Sequence, residues 1–247
     1  MKKDTQNIIT LTETDSTNNY ANQLISAGKA EDGTVVMSYF QRRGKGQPGN
    51  SWESAPEMNL LASIIIFPAF LPAGNQFYLS KITSLALFEW LGQHVNNVSV
   101  KWPNDIYVGN KKIAGILVET AIQGAKLHSA VSGFGLNLNQ LNFSESLPNP
   151  VSLKQLTGMN YNLKTSALQL REIFMRVYQK LERIKLSEID TAYHSSLFRI
   201  NEWSWFQKDG KILEARILGT GEFGHLILET RSGSYSEFAF KEIGFVI

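Results

Sequence analysis

The chain contains no cysteine. A disulfide framework, a thiolate nucleophile and a thiolate-ligated metal are therefore all excluded. The absence fits a reducing compartment, and a cytoplasmic protein is expected. Histidine is scarce too. His94, His128, His194 and His225 are scattered and show no metal-ligand spacing. They are expected on the surface or in ordinary packing, with no metal held by protein ligands. Charge of one sign is not in excess: the formal net charge is +2 over 247 residues. So mild a balance gives no global pull toward nucleic acid or an anionic membrane, and neither is expected as a partner. Long hydrophobic runs are missing as well. The most apolar stretch, Leu60–Phe67, is far too short to span a bilayer. Met1-Lys2-Lys3-Asp4 leads into no apolar segment, so no signal peptide is expected.

What is present describes an ordinary globular protein, with 43% hydrophobic and 19% charged residues. The length suits one large domain, or one with a small appendage. Ile8–Leu11, Thr34–Phe40 and Leu60–Phe67 read as strands, and Ser16 and Thr17 stand just before a helical pattern with Tyr20, Ala21, Leu24 and Ile25 on one face, closed by Gly28. Gln76–Val95 reads as a long helix. Val98–Trp102, Ile106–Val108, Lys112–Ile122 and Leu127–Leu138 read as strands. Helices are expected over Thr165–Arg183 and about Glu188–Phe198. After Asn201, short alternating runs are split by Asp209-Gly210, Gly219–Gly224 and Ser232-Gly233, the chemistry of hairpins. The expected fold is α+β. A mixed, mostly antiparallel sheet flanked by helices occupies residues 1–200, and a small all-β domain occupies residues 201–247.

Four segments could carry chemistry. Gln41–Trp52 is a loop that concentrates three cations and three glycines between two strands. Glycines let a backbone approach a ligand and turn its N–H groups inward, and cations beside them make an anion site. The loop does not match the Walker pattern, and a solvated basic loop is its plain alternative. Lys101-Trp102-Pro103-Asn104-Asp105 puts a cation, an aromatic face, an amide and a carboxylate at one strand end. A Pro-Asn turn with a buried Trp would explain it as well. Lys111–Glu119 is a buried strand with a central glycine, Gly115, that suggests close approach of a ligand or another backbone. Gly133 and Gly135 share one face of a strand with Asn137 by parity and leave room for a flat ligand, although a bulge or tight packing accounts for them equally.

Together and in order, these segments resemble the biotin–protein ligase family. The resemblance is carried by Ser16-Thr17-Asn18, then Gln41…Gly44-Lys45-Gly46…Gly49…Trp52, then Lys101-Trp102-Pro103-Asn104-Asp105. Lys112-Ile113-Ala114-Gly115-Ile116-Leu117-Val118-Glu119 and Gly133…Gly135…Asn137 complete it. It runs from about Asp15 to Asn139 and more weakly through Val151-Ser152-Leu153. It implies a fold of the biotin/lipoate ligase, class II synthetase-like type, with a C-terminal SH3-like domain. It implies an ATP-dependent ligase that makes biotinyl-5′-AMP and transfers biotin to a lysine of a biotin carboxyl carrier domain of a biotin-dependent carboxylase. ATP and Mg²⁺ are the implied cofactors, and the resemblance leaves a homodimer open.

By that resemblance Ser16, Thr17, Asn18, Gln41, Gly44, Lys45, Lys112, Gly115 and Gly133 serve biotin, while Gly46, Gln47, Trp52, Lys101, Asn104 and Asn137 serve the nucleotide. Lys112, Asp105 and Lys45 are the implied catalytic groups. Lys112 bridges carboxylate and α-phosphate, and Asp105 orients or deprotonates the acceptor lysine. Ser16 could equally be a helix N-cap, and Trp52 plain core packing. The loops 41–57 and 139–150 are expected to be mobile without ligand and to fold over the intermediate. A repressor of the family is disfavoured, because only about 15 residues precede Ser16 and a winged helix-turn-helix needs more. Lipoate- or octanoate-transferring enzymes share the fold but lack the Lys-Trp-Pro-Asn-Asp and Lys-x-Ala-Gly-Ile-Leu-Val-Glu blocks. A non-catalytic biotin-binding module would need neither Lys112 nor Asp105. The loop also departs from the family: many relatives carry Arg where this chain has Lys45 and Gln47. Lys45 keeps the charge without the guanidinium fork, and Gln47 gives the charge up.

Overall fold

The computed structural model describes residues 8–246; the first seven, on which the reading of no signal peptide partly rests, lie outside it. Seven strands form the main sheet: β1 (Ile8–Leu11), β2 (Thr34–Ser38), β3 (Leu60–Ile66), β4 (Val98–Lys101), β5 (Asp105–Val108), β6 (Lys111–Gln123) and β7 (Lys126–Leu136). Their order is β1-β2-β3-β7-β6-β5-β4. Only β1 and β2 run parallel, and every other pairing is antiparallel. The sheet is therefore mixed and mostly antiparallel, as the sequence led one to expect.

β3 is buried at all seven positions, because both of its faces are covered. One face packs on the main core, formed with helices α2 (Phe77–Gly92) and α4 (Leu163–Glu182). The other carries α1 (Thr17–Ser26), whose Ala21 packs with Val36, Ile65 and Val131 in a smaller cluster. Tyr20, Leu24 and Ile25 flank it, the apolar face read from the sequence. α1 covers only one end of its face. The rest of that face, over β6 and β7, is where the loop 41–57 lies.

One helix went unread, and another differs in its bounds. α3 (Leu153–Thr157) is a single turn locked by a capping box, Ser152 with Gln155, before Gly158 at φ +75°. α5 (Leu186–Ser195) starts earlier and stops sooner than expected, because the Ser195 and Ser196 hydroxyls bond back to the Ala192 and Tyr193 carbonyls. A second sheet follows: β8 (Trp203–Lys208), β9 (Lys211–Thr220), β10 (Leu226–Thr230), β11 (Tyr235–Phe238) and β12 (Gly244–Phe245), in the order β11-β10-β9-β8-β12. Asp209 and Gly210 both have positive φ, the requirement of the tight β8–β9 hairpin. β12 has only two residues and no alternation to read.

The second sheet is seated firmly on the first layer. The Trp102 indole N–H donates to the Gly224 carbonyl at 2.8 Å. Gly224 must be glycine, since a Cβ there would lie 2.3 Å from the Phe77 ring. His194 on α5 accepts the Thr220 backbone N–H at 3.0 Å. This seating brings residues 240–245 to the open face of the main sheet.

Candidate active site

The N-terminus of α1 opens on that face. Ser16 holds the N-cap position with extended backbone, yet its side chain makes no capping bond and lines the cavity instead. Thr17 and Asn18 are buried beside it. Gln41 Oε1 accepts the Thr17 backbone N–H at 2.6 Å and lies 3.1 Å from the Thr17 hydroxyl. Asn18 donates through Nδ2 to the Leu117 carbonyl at 3.2 Å. Behind both stands Ser63 of β3, whose Oγ is 2.8 Å from Thr17 Oγ1 and 2.7 Å from Asn18 Oδ1. Sequence reasoning passed over Ser63. The signal was one hydroxyl inside the run Leu60–Ile66, buried with no solvent to satisfy it.

The glycines of β7 line the cavity, and tight packing accounts for the room they leave. A Cβ on Gly133 would lie 2.0 Å from Asn18 Oδ1, and one on Gly135 would lie 2.2 Å from Trp52 Cε2. The space is real, but Asn18 and the Trp52 indole fill it rather than a flat ligand. Gly115 serves the same ring, since a Cβ there would lie 2.9 Å from Trp52 Cζ3. Trp52 Nε1 is buried there with no partner among the described residues. Gly44 does not shape the slot either. Its missing side chain admits the Trp52 carbonyl, which a Cβ would meet at 2.4 Å, and it lies outside the cavity lining. Asn137 is likewise off the cavity wall: its Nδ2 donates to the Val151 carbonyl at 3.1 Å and so secures the approach to α3.

The loop itself is folded rather than extended. Trp52 N–H donates to the Gly44 carbonyl, Gly46 N–H to that of Asn50, and Asn50 N–H to that of Gln47. Lys45 leaves the loop to pair with Glu119 of β6 at 3.0 Å. Opposite lies the strand end of Lys101–Asp105, which contains a cis Trp102-Pro103 bond. Asn104 is pinned to β6 by its side chain, which donates to the Ile116 carbonyl at 2.7 Å. That anchor aims Asp105 at Lys112, with Nζ and Oδ1 2.7 Å apart. Lys112 Nζ also stands 5.7 Å from the Trp52 ring centroid. Lys101 lies between the faces of Tyr107 and Phe245, at 5.2 and 5.0 Å. Burial holds its ammonium below the usual lysine range, against the opposing pull of Asp105.

These groups surround one cavity of about 260 Å³. Four lysines, Lys45, Lys101, Lys112 and Lys241, line it with a single carboxylate, Asp105. Its chemistry is thus polarised: hydroxyls and amides stand at the α1 end and Lys101 and Lys112 at the β4–β5 end, while Lys45 is paired with Glu119, which Asn22 of α1 also reaches, and Lys241 is bonded to the loop. Phe240, Lys241, Ile243, Gly244 and Phe245 also line it, a contribution from the second sheet that the sequence did not reveal. Among the described residues no cluster of three or more His, Cys, Asp or Glu gathers to hold a metal. The one carboxylate on its wall, Asp105, is already paired with Lys112, so a hard cation would have to be held chiefly by phosphate oxygens it arrives with.

The chain belongs to the biotin/lipoate A/B protein ligase family, whose model matches residues 11–137. Among curated relatives it is 28% identical over 201 residues to the biotin–[acetyl-CoA-carboxylase] ligase of Paracoccus denitrificans, covering 78% of this chain and 81% of that one. It is 25% identical over 222 residues to the bifunctional ligase/repressor BirA of Bacillus subtilis, covering 88% of this chain and 68% of that one. In fold it is similar to the biotin protein ligase of Aquifex aeolicus in complex with biotin and ATP. That likeness has a TM-score of 0.80 at 24% identity and covers 98% of this chain and 99% of the other.

Proposed function

We propose that this ligase activates biotin with ATP as biotinyl-5′-AMP and transfers the biotinyl group to a lysine of a biotin carboxyl carrier domain. The observation that carries the reading is the polarised cavity. A hydroxyl and amide cluster at Ser16, Thr17, Asn18 and Gln41 faces a cationic end built on the Lys112–Asp105 pair. Biotin has complementary ends, a polar cyclic urea and a carboxylate separated by an apolar body. In the first step a carboxylate oxygen bonds to the α-phosphorus as pyrophosphate leaves. Two anions must approach, so positive charge where the oxygens gather lowers the barrier. Lys112, held by Asp105 beside Trp52, is the group assigned to that point, with Lys45 at the loop side. Mg²⁺, when bound with the nucleotide, would supply further charge neutralisation.

In the second step the neutral acceptor amine bonds to the acyl carbon, AMP departs with the P–O–C oxygen, and the amine loses a proton. A free lysine is neutral in only about one copy in a thousand at pH 7. Asp105 is placed to take that proton once Lys112 turns to the departing phosphate. Lys101 and Asn104 stand on the nucleotide side, with Gly46, Gln47 and Trp52 from the loop. Asn137, fixed to Val151, acts there only through the chain it anchors.

The reading is tested by biotin-dependent exchange of labelled pyrophosphate into ATP. Exchange is expected with biotin and absent with lipoate. Exchange driven by lipoate and not by biotin would move the chain to the other branch of its family.

A further inference from the structure

The segment that joins β11 to β12 holds Lys241 in the left-handed region at φ +72°, a conformation that favours glycine. Nothing in the turn requires a lysine there, and the strain argues that the side chain is used. Its ammonium crosses from the second sheet to the loop 41–57 and donates to the Pro48 carbonyl at 2.7 Å, spanning 193 positions of sequence. Lys45 and Lys112, by contrast, are tied to carboxylates of the main sheet. Lys241 thus makes the hydrogen bond that joins the tip of the loop to the second sheet. It meets the loop one residue beyond Gln47, on the part closed by the Gly46–Asn50 and Asn50–Gln47 bonds.

We infer that Lys241 is a positioning residue that clamps the loop across the cavity and so sets how long the acyl-adenylate is retained; its effect on the intermediate rests on the proposed ligase activity. The clamp gives the second sheet a role in the reaction without touching the reacting atoms. Pro48 accepts through a rigid residue, so the tie fixes backbone rather than a mobile side chain.

Two variants of the full chain separate a clamp from a structural role. Lys241→Gly removes the donor and relieves the backbone, whereas Lys241→Arg keeps a donor. In ligand-free protein, amide exchange at Gly46, Asn50 and Trp52 is expected to rise about fivefold or more in Lys241→Gly, with Tm unchanged or higher, and to return toward wild type in Lys241→Arg. Unchanged exchange in Lys241→Gly overturns the clamp, and so does a fall in Tm that accompanies faster exchange. With biotin and Mg-ATP, Lys241→Gly is expected to release biotinyl-AMP about fivefold faster, while exchange of pyrophosphate persists. Equal release from the two proteins overturns the retention role. If wild type makes no biotinyl-AMP while amide exchange responds as stated, the clamp stands and the ligase reading fails.

Discussion

At the scale of single residues, Lys112 and Asp105 are one unit rather than two independent groups. Their 2.7 Å contact means that changing either alters the other. Lys112→Met should slow biotin-dependent pyrophosphate exchange by about 10² to 10³, the loss typical of one electrostatic donor at a developing charge. Asp105→Asn should slow transfer from preformed biotinyl-AMP at least about tenfold. Unchanged transfer in that variant would remove Asp105 from the second step. Ser63 works one layer back. Ser63→Ala should raise the KM for biotin about tenfold and leave that for ATP unchanged, because its hydroxyl contacts Thr17 and Asn18 and not the cationic end. Equal shifts in both constants would show a general loss of structure instead.

Legibility divided along the same lines. Residues whose types announce chemistry, such as Lys112, Asp105 and Gln41, were readable and stand on the cavity. Residues whose role is to seat another side chain were not. Gly133, Gly135 and Gly115 line the cavity and the room they leave seats Asn18 and Trp52; spacing shows where a side chain is missing and not whether a ligand or a neighbour fills the gap. Gly44 and Asn137 lie off the cavity lining, where the loop backbone and Val151 engage them.

Elements with a strong period were found, and short or cooperative ones were not. α2 and α4 follow from their apolar repeats, and the β6–β7 pair from its hairpin. α3 has one turn and depends on a cap, and β12 has two residues, so neither carries a pattern. The seating of the second sheet on α5 offers a test at this scale. Burial, and then the Lys81 ammonium, hold His194 below the ordinary histidine range, while Asp190 opposes them. Its folded-state value is therefore depressed. The stability that His194 contributes is present above about pH 6.5 and lost as pH falls through the lower folded value. Protonation also removes the acceptor that Thr220 N–H uses. Tm should therefore fall between about pH 7 and pH 5, and His194→Gln should flatten that fall. The same slope in both proteins would place the acid-sensitive group elsewhere.

At the scale of the molecule, the cavity is a joint product of the two sheets and the loop between them. Trp102 exemplifies this: read as part of a strand-end motif, it is also the donor that fastens the second sheet through Gly224. Such a contact joins residues 122 positions apart, which no local pattern foretells. The loop carries the uncharged Gln47, so its hold on an anionic intermediate is expected to be weaker than an arginine there would give. Gln47→Arg should slow escape of biotinyl-AMP, as read by its hydrolysis in bulk solvent without acceptor. Equal release rates would contradict that.

The ligase activity is read by incubating the full chain with Mg-ATP, biotin and a biotin carboxyl carrier domain, and weighing the carrier by mass spectrometry. One biotinyl increment is expected on one carrier lysine, dependent on ATP and lost in Lys112→Met. A carrier of unchanged mass, or an increment that persists without ATP, would contradict it.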